Sequence, residues 1–223
     1  ARLYRDTPTQ HFFSIDDTLR YEPFFTEFGP LNLGNTYRFC QMVKQKLQAP
    51  EHSNQIIYYC CSTKPQHRSN AAVLVGAYQI IYLNRSPVAA YEPLKQYEPY
   101  LPFRDASPGV CTFKLTPSHC IRALAKALKF GFFDFNTFNV AEYEHFECVE
   151  NGDLNIIIPK KFLAFAGPHA TNQGLDGFPT LTPTDYIPIF KMYNVSTVIR
   201  LNKKCYEKKD FIAAVINHYD LFF

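Results

Sequence analysis

The sequence predicts an α/β fold, in which helices are layered against strands. Short runs of β-branched and aromatic residues, at 55–61 and 195–201, alternate with segments whose apolar residues recur at helical spacing. Such alternation is typical of α/β layers. In a chain of 223 residues, 47% apolar and 19% charged residues are an ordinary globular balance that allows a proper core.

The first half of the chain predicts two strands and four helices. A continuous apolar run indicates a buried parallel strand, and Pro after Ser or Thr suits the first position of a helix. The predicted elements are a strand at 11–16, an amphipathic helix over 33–47, a buried strand at 55–61, a nearly all-apolar central helix over 71–83 capped by Asn70, a helix from Ser86-Pro87, a loop over 96–116, and a helix from Thr116-Pro117 that Gly131 closes.

An acidic segment follows. Between residues 130 and 159 there is no Lys or Arg, although the chain as a whole carries a formal charge of +3. Asn139 is a candidate N-cap with Glu142 as its capping-box partner, and Asn151-Gly152 supplies residues that can end the helix. The apolar stripe is Val140, Tyr143, Phe146 and Val149, and the acids are Asp134, Glu142, Glu144, Glu147, Glu150 and Asp153.

This acidic helix allows two interpretations. It is either a solvated linker with ordinary surface acids, or a negative wall for a basic peptide, because a cleft lined by one sign of charge concentrates an oppositely charged partner. Composition does not choose between them.

The second half repeats the α/β pattern. Its predicted elements are strands at 155–158 and 162–166, a loop over 167–181, a helix from Thr182-Pro183 to Tyr193 that Pro188 interrupts, a strand at 195–201, a helix over 206–217 and a strand at 219–223. These roughly 70 residues are few for a self-sufficient α/β domain, so we expect an incomplete one. Arg200, at the end of a predicted strand, is expected to form a structural ion pair.

Several classes of function are disfavoured. The sequence has no stripe of Lys and Arg residues, so nothing in its charge pattern indicates a nucleic-acid partner. No apolar run reaches the length of a membrane span. The His and Cys spacings match no metal site, so neither a metal nor another cofactor is expected. The seven cysteines are odd in number and lack a CxxC pair, which is typical of reduced thiols in an intracellular protein.

The strand, polar loop and helix over residues 56–83 form the arrangement that cradles phosphate on a helix N-terminus. Cys61 and Arg68 there suggest a cysteine phosphatase, whose loop needs a low-pKa thiolate, a ring of backbone amides and an Arg. However, six residues separate them instead of five, the loop contains Pro65 and no Gly, and no His precedes the Cys. We therefore expect a phosphatase-like scaffold without the chemistry.

Several sequence blocks carry a resemblance to a known family. They are FGPLN (28–32), RSNAAVLVGAY (68–78), YLPFRDAS (100–107), GFFDF (131–135), EYEHFECVENGD (142–153), KFLAFAGPH (161–169), RLNKKCYE (200–207) and HYDLFF (218–223). In this order they resemble the N-terminal and connecting regions of the cell-division-cycle-fourteen dual-specificity phosphatases, and the resemblance covers essentially the whole chain.

The resemblance implies two phosphatase-like α/β domains joined by an acidic linker helix, the second being truncated. The expected divisions are a non-catalytic domain at 1–136, the linker helix at 137–152 and the beginning of the catalytic domain at 153–223. In the family a Cys thiolate attacks phosphorus, an Arg in the same loop binds the phosphate and an Asp protonates the leaving oxygen. The resemblance implies that the loop with the general-acid Asp follows soon after Phe223, and that the loop with the Cys and Arg comes later. No catalytic residue is therefore expected within these 223 residues.

The implied substrates are phosphoproteins with phosphoserine followed by Pro and a basic residue a little further on. Glu144 matches a linker position of the acidic substrate groove, and Glu142 and Asp105 are further candidates for substrate binding, although Asp105 is also a candidate for pairing with Arg104 or capping backbone. The implied role is cell-cycle control, in the nucleus, nucleolus and cytoplasm. The alternative is a non-catalytic phosphatase-like module that binds basic peptides or partner proteins.

Overall fold

The structure is a computed structural model that describes residues 4–174 and 179–221. The chain divides into two compact units, Ala1–Phe138 and Asn139–Phe223. The acidic helix falls in the second unit. The domain boundaries expected at 136 and 152 stay predictions.

In the first unit, four helices accompany a two-stranded parallel sheet. Strand β1 pairs with β2 in a register that sets Gln10 opposite Ile56 and Phe13 opposite Tyr59. The elements are β1 (Gln10–Phe13), α1 (Leu33–Gln48), β2 (Ile56–Tyr59), α2 (Pro65–Ile81), α3 (Pro87–Tyr91) and α4 (Pro117–Lys129), with 3-10 turns at Pro50–His52 and Glu92–Tyr97.

Helix α2 is central, as predicted, because it packs against α1, α3 and α4. Phe39 and Cys40 of α1 meet Leu74 of α2 in the main core of the unit. A smaller cluster joins Ile80 of α2 to Ile121 of α4. Ser86 and Thr116 cap α3 and α4 as the sequence predicted.

Two predictions for this unit are wrong in detail. Helix α2 begins at Pro65, and Asn70 lies inside it instead of capping it. Pro65 at the first position starts the helix early, because its fixed φ suits a helix and its missing N–H would have no partner there. Strand β2 is parallel, but it is not fully buried, since Ile56 at its start is 62% exposed.

The second unit contains a β-hairpin and a parallel strand pair. Strands β3 and β4 pair antiparallel, and β5 pairs with β6 in parallel. The elements are α5 (Val140–Glu147), β3 (Leu154–Ile158), β4 (Phe162–Phe165), α6 (Pro183–Met192), β5 (Thr197–Arg200), α7 (Lys209–Ala213) and β6 (Asn217–Asp220), with a 3-10 turn at Val149–Asn151.

Aromatic side chains form most of the core of this unit. Tyr186 and Phe190 of α6 pack with Phe211 of α7, and all three are almost completely buried. Arg200 is also buried, and its guanidinium binds the Asp220 carboxylate at 2.6 Å. The expected structural ion pair is thus confirmed.

Other boundaries differ from the sequence prediction. Helix α7 is five residues long and does not extend over 206–217, because Val215 adopts a positive φ of 65° and Asn217 already belongs to β6. Helix α6 passes through Pro188 without a break. Residues 175–178 of the predicted loop and 222–223 of the last predicted strand lie outside the described residues. Across the described chain, no helix is long and apolar enough to cross a membrane.

Candidate functional site

The acidic helix α5 begins at the predicted cap. The side-chain oxygen of Asn139 accepts a hydrogen bond from the Glu142 amide at 3.2 Å. The side-chain nitrogen of Asn139 donates to the Glu142 carboxylate at 3.1 Å. The pair is therefore reciprocal, but the carboxylate binds the Asn side chain and not its backbone amide. At the other end, Gly152 and then Asp153 take positive φ.

Two aromatic residues hold α5 in the second unit. Phe146 packs edge-on against Tyr193 at the end of α6, with ring centroids 5.7 Å apart. The Tyr193 hydroxyl donates to the Glu142 carboxylate at 2.5 Å. Burial, and then this hydrogen bond and the charge of Glu142, raise the pKa of Tyr193, so the phenol remains a neutral donor at physiological pH.

The carboxylates of α5 do not share one face. Glu142 turns toward Tyr193, and the Tyr143 hydroxyl donates to Glu147 at 3.2 Å. Glu144 is half-buried and lies two positions after Glu142, so it points to a different side of the helix. Glu142 and Glu144 are the two candidate substrate-binding acids on α5, and only Glu142 is turned toward Tyr193.

Asp105 lies in a loop of the first unit. Its carboxylate accepts hydrogen bonds from the Ser107 hydroxyl and, at 3.2 Å, from the Ser107 amide. These two bonds hold the pKa of Asp105 below its ordinary value. Arg104 instead donates to the carbonyl oxygens of Asp105, Ser107 and Gly109. Asp105 was expected either to pair with Arg104 or to cap backbone groups, and the structure shows the backbone cap. A role of Asp105 in a common groove with Glu142 and Glu144 stays a prediction.

The phosphatase-like turn between β2 and α2 already holds a carboxylate of the protein. Asp16, which follows β1, accepts a hydrogen bond from the Ser62 amide at 2.6 Å. It also lies 3.2 Å from Nδ1 of His67, which is 2.9 Å from the Ser62 hydroxyl. An internal negative charge therefore occupies a backbone donor that a phosphate would use.

Cys61 in this turn is not poised as a nucleophile. Burial raises the pKa of its thiol, and the nearby negative charge of Asp16 adds to that effect. Arg68 donates to the carbonyl oxygen of Tyr97 at 2.6 Å and lies over the Tyr100 ring. A reactive cysteine needs a stabilised thiolate, and the surroundings of Cys61 do not favour one. The phosphatase-like scaffold without chemistry stays a prediction.

Comparison with known proteins gives the family. Residues 2–127 match the family model of the N-terminal half of dual specificity protein phosphatases. The chain is 50% identical to the human dual specificity protein phosphatase CDC14A over 222 residues, which is 98% of this chain and 37% of the relative. The chain belongs to the CDC14 family of dual specificity phosphatases.

Two other members of the CDC14 family extend this similarity. Mouse dual specificity protein phosphatase CDC14B is 46% identical over 98% of this chain and 45% of its own length. The tyrosine-protein phosphatase cdc-14 of Caenorhabditis elegans is 40% identical over 95% of this chain and 31% of its own length. The chain therefore spans about a third to somewhat under half of the length of these CDC14 relatives.

The α/β class and the CDC14 family were predicted from sequence, but two contacts of the site were not. Asp16 could have been suspected, because it follows a strand whose carboxyl end meets that of the parallel strand before Cys61. Tyr193 carried no signal, since it lies 51 residues from Glu142. Within residues 4–174 and 179–221, no three His, Cys, Asp or Glu side chains are placed to hold a metal ion.

Proposed function

We propose that this chain is the substrate-docking part of a dual-specificity phosphatase that acts in the cell cycle. The protein as a whole removes phosphate from phosphoserine-proline sites, through a Cys thiolate, an Arg and a general-acid Asp that lie outside the 223 residues. One observation carries the proposal: nearly the whole chain matches phosphatases of the CDC14 family, while its own Cys61 turn is unsuited to catalysis.

In this proposal the first unit is a phosphatase-like scaffold and α5 is a linker with an acidic surface. Glu144, Glu142 and Asp105 would contribute to a groove for the substrate, whose basic residue after the phosphoserine-proline pair is attracted by the carboxylates. Tyr193 would fix Glu142 in place. The partners of the protein in this proposal are phosphoproteins of the nucleus, nucleolus and cytoplasm. The seven free thiols support such a reducing location.

Turnover tests the proposed division of labour. We expect the 223-residue polypeptide to hydrolyse neither p-nitrophenyl phosphate nor a Ser-Pro phosphopeptide. The native gene product should hydrolyse both, and Cys61→Ser should leave its kcat unchanged, because Cys61 is not the nucleophile. Turnover by the 223-residue polypeptide that Cys61→Ser abolishes would contradict the proposal.

Charge reversal tests docking. Glu144→Lys should weaken binding of a phosphopeptide with a basic residue after Ser-Pro by about threefold to tenfold, since one favourable charge becomes unfavourable. It should also reduce the loss of affinity on going from low to high salt. Titration calorimetry or fluorescence anisotropy at two salt concentrations measures both effects.

The matched control is Glu51→Lys, which makes the same charge change at an exposed position in a 3-10 turn of the first unit. This control should leave peptide affinity within about twofold. If Glu144→Lys changes neither the affinity nor its salt dependence, Glu144 does not belong to the groove.

The second candidate is a non-catalytic binding module for basic peptides or partner proteins. The carboxylate of Asp16 at the phosphatase-like turn supports this candidate as it supports the first, because both assign no chemistry to Cys61. This candidate predicts peptide binding without turnover, even by the native gene product. The turnover assay therefore separates the two functions.

A further inference from the structure

Five hydroxyl residues of this chain are followed directly by Pro, which is the pattern that proline-directed protein kinases phosphorylate. They are Thr7, Ser86, Ser107, Thr116 and Thr182. Three of them, Ser86, Thr116 and Thr182, are the N-caps of α3, α4 and α6. Thr7 forms a strand bridge with Gln10. Ser107 stands in no helix, helix cap or strand bridge of the described chain, so its hydroxyl has no part in regular structure.

Ser107 lies in an exposed loop whose two ends are joined by a bridge between Phe103 and Leu115. Residues 105–110 are all exposed, and Val110 is 89% exposed. A kinase binds the residues around its target hydroxyl as an extended segment, and a surface loop adopts that conformation without breaking a helix or a sheet. The Ser107-Pro108 pair is therefore accessible in a way that the helix caps are not.

The guanidinium of Arg104 lies beside Ser107. Its Nη2 donates to the carbonyl oxygens of Ser107 at 2.9 Å and Gly109 at 3.2 Å, and its Nε donates to the carbonyl oxygen of Asp105 at 3.3 Å. All three acceptors are neutral. A phosphate is a stronger acceptor than a neutral carbonyl and can accept two parallel bonds from a guanidinium, so a phosphate on Ser107 would recruit this cation.

A phosphate on Ser107 would also change the surroundings of Asp105. The Ser107 hydroxyl now donates to the Asp105 carboxylate. A phosphorylated oxygen has no hydrogen to donate, and the phosphate brings a charge of about −1.5 to −2 next to the carboxylate. Since like charges repel, the carboxylate would turn away from Ser107 and toward solvent.

We propose that Ser107 is the acceptor of a proline-directed protein kinase, that Arg104 binds the resulting phosphate and that Asp105 is released from Ser107. In the transfer, Oγ of Ser107 bonds to the γ-phosphorus of a nucleoside triphosphate held by the kinase. The bond from this phosphorus to the bridging oxygen breaks, the nucleoside diphosphate leaves with the electron pair, and the hydroxyl proton passes to a carboxylate of the kinase. This modification needs neither peptide docking nor turnover by the protein itself, so it is independent of the proposed function.

Site mapping tests the acceptor. A cyclin-dependent kinase with its cyclin and ATP should phosphorylate Ser107 in the 223-residue chain and in the native gene product. Orthovanadate is present, so that a cysteine phosphatase does not remove the product. Ser107→Ala should lower phosphate incorporation into the 223-residue chain by at least about fivefold. The matched control is Ser86→Ala, the same change at an exposed Ser-Pro pair that caps α3, and it should leave incorporation within about a fifth of the original.

Phosphorus NMR tests the role of Arg104. The second pKa of a phosphoserine is ordinarily about 6, and a bound guanidinium lowers it because the cation favours the dianion. In the phosphorylated 223-residue chain, this pKa should be at least about 0.5 lower than in the phosphorylated Arg104→Gln variant. Arg122→Gln is the matched control, since Arg122 is exposed on α4, and it should leave the titration unchanged.

The acceptor is refuted if the kinase places no phosphate on Ser107, whether or not other residues are labelled. Labelling of Ser107 in the 223-residue chain but not in the native gene product also refutes it, because the loop would then be covered in the whole protein. An equal phosphate pKa with and without Arg104 refutes the role of that residue. A native gene product that is phosphorylated on Ser107 but has no turnover upholds the site and refutes the proposed phosphatase activity, so the two failures are distinguishable.

Discussion

At the scale of single residues, Asn70 connects a buried helix to the turn before α1. Its side-chain oxygen accepts a hydrogen bond from the Leu31 amide at 2.8 Å, and its nitrogen donates to the Gly29 carbonyl oxygen at 3.4 Å. Asn70 is 7% exposed, so water does not replace these bonds easily. A buried backbone group that loses its partner is costly, which makes this side chain important for the first unit.

We expect Asn70→Ala to lower the free energy of unfolding by about 1–3 kcal/mol, because it leaves the Leu31 amide and the Gly29 carbonyl unpaired. Urea denaturation of the 223-residue chain measures the change. Asn35→Ala, at a half-buried position on α1, is the control and should change stability by no more than about 0.5 kcal/mol. Equal effects of the two substitutions would show that the Asn70 contacts add nothing.

At the scale of elements, the close approach of α2 and α4 depends on Gly76. A Cβ atom at this position would collide with the side chain of Ile121, which is 1% exposed and has little room to move. Glycine normally weakens a helix interior by about 1 kcal/mol relative to alanine, so its presence here reflects packing.

Gly76→Ala should therefore destabilise the chain by about 1–3 kcal/mol, although alanine favours helix formation. Ile121→Ala removes both atoms that the new Cβ would meet, Cδ1 and Cγ1 of Ile121. In a double-mutant cycle, Gly76→Ala combined with Ile121→Ala should be more stable than the sum of the single changes predicts. Simple additivity would argue that the helices separate without cost.

At the scale of the whole molecule, the carboxylates determine how acid affects stability. The pKa values of six acids lie below their ordinary values of 3.8 for Asp and 4.5 for Glu. Partial desolvation raises the pKa of each acid, but hydrogen bonds and neighbouring cations lower it by more. The six acids are Asp6, Glu27, Asp105, Asp185, Glu207 and Asp220. Asp153 works in the opposite sense, because burial raises its pKa.

A depressed carboxyl pKa stabilises the folded state above the unfolded pKa, and this stabilisation is lost as the pH falls through the folded pKa. We therefore expect the melting temperature to fall once the pH drops below about 4.5, and to keep falling below 3.8. Thermal unfolding between pH 7 and pH 3 checks this. Asp220→Asn should lower stability at pH 7 and flatten the fall, whereas a melting temperature that rises on acidification would contradict the assignment.

Much of the fold was accessible from local sequence. The Ser86-Pro87, Thr116-Pro117 and Asn139 starts of helices were correct, because capping and the φ of proline act within a few residues. The start of α2 was missed, since Asn before an apolar run looks like a cap, while the true partners of Asn70 lie about 40 residues away. The length of α7 was missed because Val215 takes a positive φ, which is rare for a β-branched residue.

The sequence by itself determined the α/β class, the family and the acidic character of α5, because periodicity, capping residues and long motifs are recorded locally along the chain. Only the tertiary structure decided which carboxylates already have a hydrogen-bond partner within the protein. Tyr193 binds Glu142, Ser107 binds Asp105, and Asp16 enters the turn beside Cys61. Hydrogen-bond partners are chosen by proximity in space, so a carboxylate that looks free in sequence can already be occupied in the fold.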